Sequence, residues 1–260
     1  MMLLLVYSLA ISTALYYWLR IKTHMQPGLL LIDNPMVGLI AFCLSYLSIG
    51  FRWPSLILIP VLIPLLAFIL IQIRFWRTPR RKITAKDNEI VSPADGNVIY
   101  INRIDLDSKL ISVKNGSVSE LSEITQSDLI LRPCWQIGIN MTPFDVHKNC
   151  SPISGNIIFN KHIIGKFHSL KDFLSMTENE RHTYVIENKL CRVGVVQIAS
   201  KRVKRIDSYV KQGDAVKQGE WLGMIRFGSQ VDVFLPLEAK INIELRQQVY
   251  AAKTILAELP

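Results

Sequence analysis

The sequence predicts a mostly β (α+β) chain, with a sandwich-like or barrel-like β domain behind apolar N-terminal helices. Three observations predict it. Charge is spread unevenly along the chain, short β-type runs fill the part beyond residue 85, and one turn-plus-strand unit occurs twice.

Of 30 basic and 21 acidic residues, the first 75 positions hold only Arg20, Lys22, Arg52, Arg74 and Asp33. The remainder carries 26 basic and 20 acidic residues. A membrane part therefore precedes a moderately basic soluble part, and the mean hydropathy of +0.25 averages over both. A basic balance suits an anionic membrane surface or an anionic substrate. Nucleic acid is not expected, because no dense Lys/Arg run is interleaved with aromatics. Cys43, Cys134, Cys150 and Cys191 lack C-x-x-C spacing, which argues for thiols in a reducing compartment over a zinc site or disulfide framework. No metal is expected.

Uncharged runs cover residues 2–18, 36–51 and 53–73. The third matches the ~20 residues that cross a ~30 Å bilayer core. Residues 36–73 are expected to form a transmembrane helical hairpin turning at Arg52-Trp53-Pro54. Pro60 and Pro64 would kink its return helix or make it re-entrant. Residues 1–35 add an apolar segment able to form another spanning helix and a loop. Its charges follow the apolar run, opposite to a signal peptide. Arg20 and Lys22 before the hairpin, and Arg74, Arg77, Arg80, Arg81 and Lys82 after it, favour a cytoplasmic location for both ends. The domain at 74–260 would then lie on the cytoplasmic side of the cell (inner) membrane.

In that domain strands are expected near 97–101, 110–113, 135–139, 183–186, 193–198 and 241–245, with one short helix at 170–176. Ser92-Pro93-Ala94-Asp95-Gly96-Asn97-Val98-Ile99 is echoed by Ser151-Pro152-Ile153-Ser154-Gly155-Asn156-Ile157-Ile158. In each, Pro and then Gly three positions on set a turn, and an apolar pair starts a strand. Two such units imply a pseudo-symmetric sandwich or small barrel.

Near the C-terminus, Phe227-Gly228-Ser229-Gln230 interrupts a β-type run. The preceding residues 210–222 resemble biotinyl- and lipoyl-carrier domains, which show a lysine at a hairpin tip. Ser229 falls at that tip, and no lysine does. Asp95, His147 and Ser229 then form a candidate set. A hydroxyl becomes nucleophilic when imidazole takes its proton, and a carboxylate on the second ring nitrogen fixes the tautomer. Asp145 is a competing carboxylate.

Five ordered motifs resemble the phosphatidylserine decarboxylase family, closest to its shorter members. They are Val91-Ser92-Pro93-Ala94-Asp95-Gly96, Met141-Thr142-Pro143-Phe144-Asp145-Val146-His147-Lys148-Asn149, Gly165-Lys166-Phe167, Asn179-Glu180-Arg181 and Gly223-Met224-Ile225-Arg226-Phe227-Gly228-Ser229. Arg74-Phe75-Trp76-Arg77-Thr78-Pro79 is similar to the segment joining that family's membrane hairpin to its catalytic domain. The resemblance implies self-cleavage between Gly228 and Ser229, helped by His147 and Asp95, into chains 1–228 and 229–260 that stay together as a heterodimer, with further dimerisation left open. It implies that Ser229 becomes a pyruvoyl cofactor, whose ketone forms a Schiff base with phosphatidylserine and yields phosphatidylethanolamine and CO2. Lys166, Arg181 and Arg205 are cations in matching segments that suit the substrate phosphate. Phe144 and Asp145 stand where longer members carry a further histidine, and Gln230 stands where Thr, Ser or Arg is usual. An ester or an ether lipid fits equally. Two other readings stay open: a membrane-anchored serine hydrolase using Asp95, His147 and Ser229, and a carrier-like adaptor without catalysis.

Overall fold

A computed structural model of the chain describes residues 1–23, 25–48, 55–106, 111–112, 118–119, 121–130, 132–166, 178–200, 205–226 and 229–260. It divides into two compact units, Met1–Arg77 with Thr142–Phe144, and Thr78–Met141 with Asp145–Pro260.

The first unit holds helices α1 (Met2–Thr23), α2 (Pro27–Ser48) and α3 (Ser55–Trp76). Each has 22 residues and is apolar and long enough to cross a bilayer. Where lipid replaces water, small residues and side-chain hydrogen bonds hold helices together. Here Ser8 Oγ donates to the Gly38 carbonyl at 2.7 Å, and Ser12 Oγ to the Asn34 carbonyl at 2.8 Å. Asp33, fully buried, accepts two guanidinium hydrogen bonds from Arg74. That pairing explains why α2 starts at Pro27, upstream of the uncharged run at 36–51. The charge that ends the run is neutralised from α3, which makes it tolerable in an apolar setting. α3 runs unbroken through Pro60 and Pro64. The expected turn at Arg52-Trp53-Pro54 lies outside the described residues.

The second unit contains β1 (Glu89–Val91), β2 (Gly96–Ile104), β3 (Ile111–Ser112), β4 (Val118–Ser119), α4 (Leu121–Thr125), β5 (Cys134–Met141) and β6 (Lys148–Cys150). It continues through β7 (Gly155–Ile163), β8 (Arg181–Glu187), β9 (Arg192–Ala199), β10 (Ile206–Ser208), β11 (Ala215–Val216) and β12 (Trp221–Ile225). It ends with β13 (Ser229–Pro236), β14 (Lys240–Ile241), β15 (Gln248–Val249) and β16 (Ile255–Glu258). Among the described residues the large sheet has the order β11-β7-β8-β9-β13-β5-β2-β15 and is antiparallel throughout. Val98, Ile137, Ile139, Tyr184, Ile186, Val193, Val195, Val231 and Val233 form its buried core, with period-2 alternation.

The internal repeat is real and extends beyond the eight residues that announce it. Gly96 and Asn97 pair with Val249 and Gln248, just as Gly155 and Asn156 pair with Val216 and Ala215. Ser92 N–H donates to Thr254 and Ser151 N–H to Glu220, both at 2.8 Å. The register slips between Val98 and Tyr100 in β2, and at the matching place between Ile157 and Phe159 in β7. The two halves meet where β9 pairs with β13.

Two local expectations need correction, and one lies beyond what the structure describes. The alternating run at 241–245 keeps only Ile241 in a strand; Glu244 and Gln247 close a turn and leave Leu245 exposed. α4 was not anticipated, and the helix expected at 170–176 falls outside the described residues. β12 and β13 do not form a hairpin. β12 is bonded on both edges by β10 and β6, and β13 by β9 and β5, so neither has an edge left for the other. The chain crosses between sheets at 226–229.

At Gly155 an added Cβ would overlap the Glu187 carbonyl oxygen, a backbone atom that cannot swing aside. Gly155→Ala is expected to cost about 1–3 kcal/mol or more, read as a lower midpoint in thermal unfolding of the detergent-solubilised protein. An unchanged midpoint would show that β7 does not approach β8 this closely.

Candidate active site

Ser229 opens β13, with its backbone paired to Met141 of β5 on one side and to Ala199 of β9 on the other. β12 ends at Ile225, whose N–H donates to the His147 carbonyl at 3.1 Å. Backbone contacts at Met141 and at His147 thus flank the 226–229 crossing at its two ends. Register sets the end of β12 beside His147 and the start of β13 beside Met141. Phe227 and Gly228 lie outside the described residues.

His147 is fully buried, just ahead of β6. Its Nδ1 sits 2.9 Å from the Asp145 carbonyl oxygen, which can only accept, so Nδ1 carries the proton. The neutral ring then presents its lone pair at Nε2. Burial pushes the imidazole down to about 4, against the opposing effects of the Asp145 hydrogen bond and the Asp95 charge. At neutral pH the ring is an uncharged base.

Asp95 is buried in the first repeat turn. Its Oδ1 accepts from Ala251 N–H at 2.8 Å and Arg81 Nη1 at 2.5 Å, and its Oδ2 from Arg81 Nη2 at 2.7 Å. Arg81 Nη1 also donates to the Ala251 carbonyl at 2.6 Å. The nitrogen expected to meet a carboxylate meets the Asp145 carbonyl, and Asp95 acts on the ring through its field. Asp145's own carboxylate accepts from Gln248 Nε2 at 3.1 Å.

The second repeat serves as an internal control for Asp95. There Ser154 Oγ accepts from Gln218 N–H at 3.0 Å, the counterpart of the bond from Ala251 to Asp95. A serine therefore suffices to join the two turns. What Asp95 adds is a second oxygen and a negative charge, directed at Arg81 and felt by His147.

Lys166 and Arg205 border the segment Asn179-Glu180-Arg181, to which Arg181 itself belongs. Lys166 is bridged to Asn179, and Ile206, next to Arg205, donates its N–H to Glu180 Oε1 at 3.0 Å. The segment in turn grips Ala199, the residue opposite Ser229, through Asn179 Nδ2 at 2.8 Å and the Glu180 carbonyl at 2.9 Å. Lys166 and Arg205 are exposed, ion-paired with Glu178 at 3.0 Å and Asp207 at 2.6 Å. Arg181 is only 2% exposed and donates to the carbonyls of Asn179 and Glu123. Burial lowers its guanidinium to about 10. Burial also raises the thiols of Cys150 to about 12 and of Cys134 and Cys191 to about 11, so none offers a thiolate nucleophile at neutral pH.

Residues 68–257 match the family described as Phosphatidylserine decarboxylase. The chain belongs to the phosphatidylserine decarboxylase family. A phosphatidylserine decarboxylase proenzyme of Cytophaga hutchinsonii is 36% identical over 199 residues, 76% of this chain and 81% of that protein. A putative archaetidylserine decarboxylase proenzyme of Methanocaldococcus jannaschii is 38% identical over 193 residues, 74% and 91% respectively. A phosphatidylserine decarboxylase proenzyme of Burkholderia ambifaria is 34% identical over 211 residues, 81% and 84%. Against this decarboxylase family, α1, α2 and the start of α3 fall outside the matched span.

Two partners of Asp95 were not visible in the sequence. Arg81 sits in a basic cluster that reads equally well as a membrane flank. Ala251 contributes only backbone groups, which leave no side-chain signal. The low imidazole values carry a stability consequence. His147, and His182 likewise at about 4 through burial, bind fewer protons folded than unfolded between pH 4 and about 6.5. Their contribution is present above 6.5 and is lost as pH falls toward 4. His147→Gln is expected to flatten the acid limb of unfolding free energy against pH by on the order of 3 kcal/mol; superimposable limbs would contradict the buried neutral imidazole.

Proposed function

We propose that the chain is a membrane-tethered proenzyme that cuts itself between Gly228 and Ser229 and decarboxylates phosphatidylserine to phosphatidylethanolamine. One observation carries this reading. Residue 229 begins a strand bonded on both edges, directly after a crossing between sheets, so the bond before it can break without releasing the strand. A hairpin tip or a surface-displayed nucleophile would not need that arrangement.

In maturation, Ser229 Oγ adds to the Gly228 carbonyl, the Gly228–Ser229 C–N bond breaks, and the hydroxyl proton ends on the Ser229 nitrogen. His147 Nε2 carries that proton, because Nδ1 is committed to Asp145 and burial keeps the ring neutral. Asp95 stabilises the transient imidazolium through its field. Removal of the Ser229 Cα proton then expels the Gly228 carboxylate, and water replaces ammonia at residue 229 to leave a pyruvoyl group. The residues present fit such a group, since the backbone of position 229 is fixed by both neighbouring strands. When formed, it supplies an electron-accepting ketone for the electron pair left as CO2 departs. The two products, 1–228 and 229–260, remain a heterodimer.

Lys166 and Arg205 suit the lipid phosphate, because each is exposed beside the segment that grips Ala199 and can exchange a carboxylate partner for a phosphate. Arg181 supports that segment from within. Arg20 and Lys22 close α1 and Arg74 closes α3, with Arg77, Arg80, Arg81 and Lys82 following it. If α1 to α3 each cross the bilayer, these basic ends share one side, which the positive-inside tendency assigns to the cytoplasm.

Maturation and turnover separate in two variants. Ser229→Ala is expected to stay intact and inactive in a phosphatidylserine decarboxylation assay. Asp95→Ser copies Ser154, keeps the bond from Ala251, and is expected to fold but to mature at least about tenfold more slowly, followed on denaturing gels. Maturation of Asp95→Ser at the wild-type rate would remove the charge at position 95 from the chemistry, and decarboxylation by intact Ser229→Ala would remove the pyruvoyl reading.

A further inference from the structure

The large sheet holds a buried carboxylate that the chemistry above leaves unused. Asp232 is fully buried on β13, on the face opposite Val231 and Val233. It accepts hydrogen bonds from the Tyr100 hydroxyl at 2.7 Å, Gln136 Nε2 at 2.8 Å and Gln230 Nε2 at 2.7 Å. Gln230 Nε2 also donates to the Tyr100 oxygen at 2.6 Å. Tyr100 lies on β2, two strands away from β13 in the sheet. It reaches Asp232 by lying across β5 at Gly138, where a Cβ would overlap its ring. One side chain thereby straps three strands.

The second half of the sheet shows what ordinary packing does at the same place. The row Tyr100–Gly138–Asp232 is set by pairing of β2 with β5 and of β5 with β13. Its counterpart, set by β7, β8 and β9, is Phe159–Val185–Gly194. That row is apolar and needs no buried acid. A carboxylate buried among neutral donors is a costlier filling than hydrocarbon, so stability alone does not call for Asp232.

The two rows differ in what lies beside them. β13 is the strand whose first residue becomes a chain end under the proposed self-cleavage, and chain ends fray unless tied down. Gln230, the next residue, spends both hydrogens of its amide nitrogen on groups anchored in other strands or further along its own. We propose that Tyr100, Asp232 and Gln230 form a clamp that holds residue 229 in place after the bond before it is cut. The clamp rests on the self-cleavage reading. Its members are positioning residues: before the cut the continuous chain restrains residue 229, and after it the clamp and the strand pairing must do so. Turnover should therefore depend on it more than maturation does.

Gln230→Met and Tyr100→Phe each remove one arm at nearly constant volume, and the second copies Phe159. The full-length variants in detergent are compared with wild type for fraction cut, for kcat and KM on phosphatidylserine in mixed micelles, and for amide exchange at residues 230–232. The clamp predicts wild-type cleavage, kcat lower by about tenfold or more, KM within about twofold, and faster exchange at the start of β13 but not at 233–236. Wild-type kcat in both variants, or a loss of cleavage that accounts for the lost turnover, would overturn it. If the wild-type chain is itself uncut, the functional reading and the clamp fall together. If wild type is cut and the variants turn over normally, only the clamp falls.

Discussion

Pairing of β13 on both of its edges is the constraint on which the rest depends. β5 matches it over residues 229–236 and β9 over residues 229–234, and both neighbours precede the proposed cut. Backbone hydrogen bonds are individually modest, at about 0.5–1.5 kcal/mol net, but two full ladders leave the strand little freedom to depart. The later residues reinforce the hold. β15 pairs with β2 and β16 with β1, and the turn at 250–254 exchanges backbone bonds with Ser92. A cut before Ser229 would thus leave β13 held by its partners, with the backbone of Ser229 paired on both sides.

The site arises where two structurally equivalent halves stop being equivalent. Both turns tie down their neighbours, but only the first uses an acid, and that acid recruits Arg81 and biases His147. Both rows across that face fill space, but only one does so with a carboxylate, next to the strand end that the proposed cut would create. The symmetric parts hold the sheet together, and the proposed chemistry rests on the departures from symmetry. Burial links the two, since the enclosure that packs His147 also keeps it neutral and fit to take a proton.

Much of this was legible in residues alone. Turn chemistry at Pro93 and Gly96, repeated at Pro152 and Gly155, announced the pseudo-symmetry, and alternating runs located most of the long strands. The three apolar helices were legible as uncharged runs, except that Asp33 hid the start of α2 until its partner Arg74 was known. The hairpin reading of Gly228-Ser229 failed for a specific reason. Strands adjacent in sequence usually pair, whereas β12 and β13 belong to different sheets, and only non-local partners reveal it. Arg81 failed similarly, because its partner Asp95 is set by the fold and its neighbours suggested a membrane flank. The correction at 228–229 strengthens the functional case: a crossing between two-edged strands suits a cut better than an exposed tip.

The most direct test of self-processing at Ser229 is the intact mass of the purified, denatured wild-type protein. Self-processing predicts two chains, 1–228 and 229–260, with the smaller lighter by one ammonia than a fragment starting at an ordinary serine, and blocked at its N-terminus. A single uncut chain of 260 residues in folded protein, or a small chain starting with a free serine amine, would contradict it.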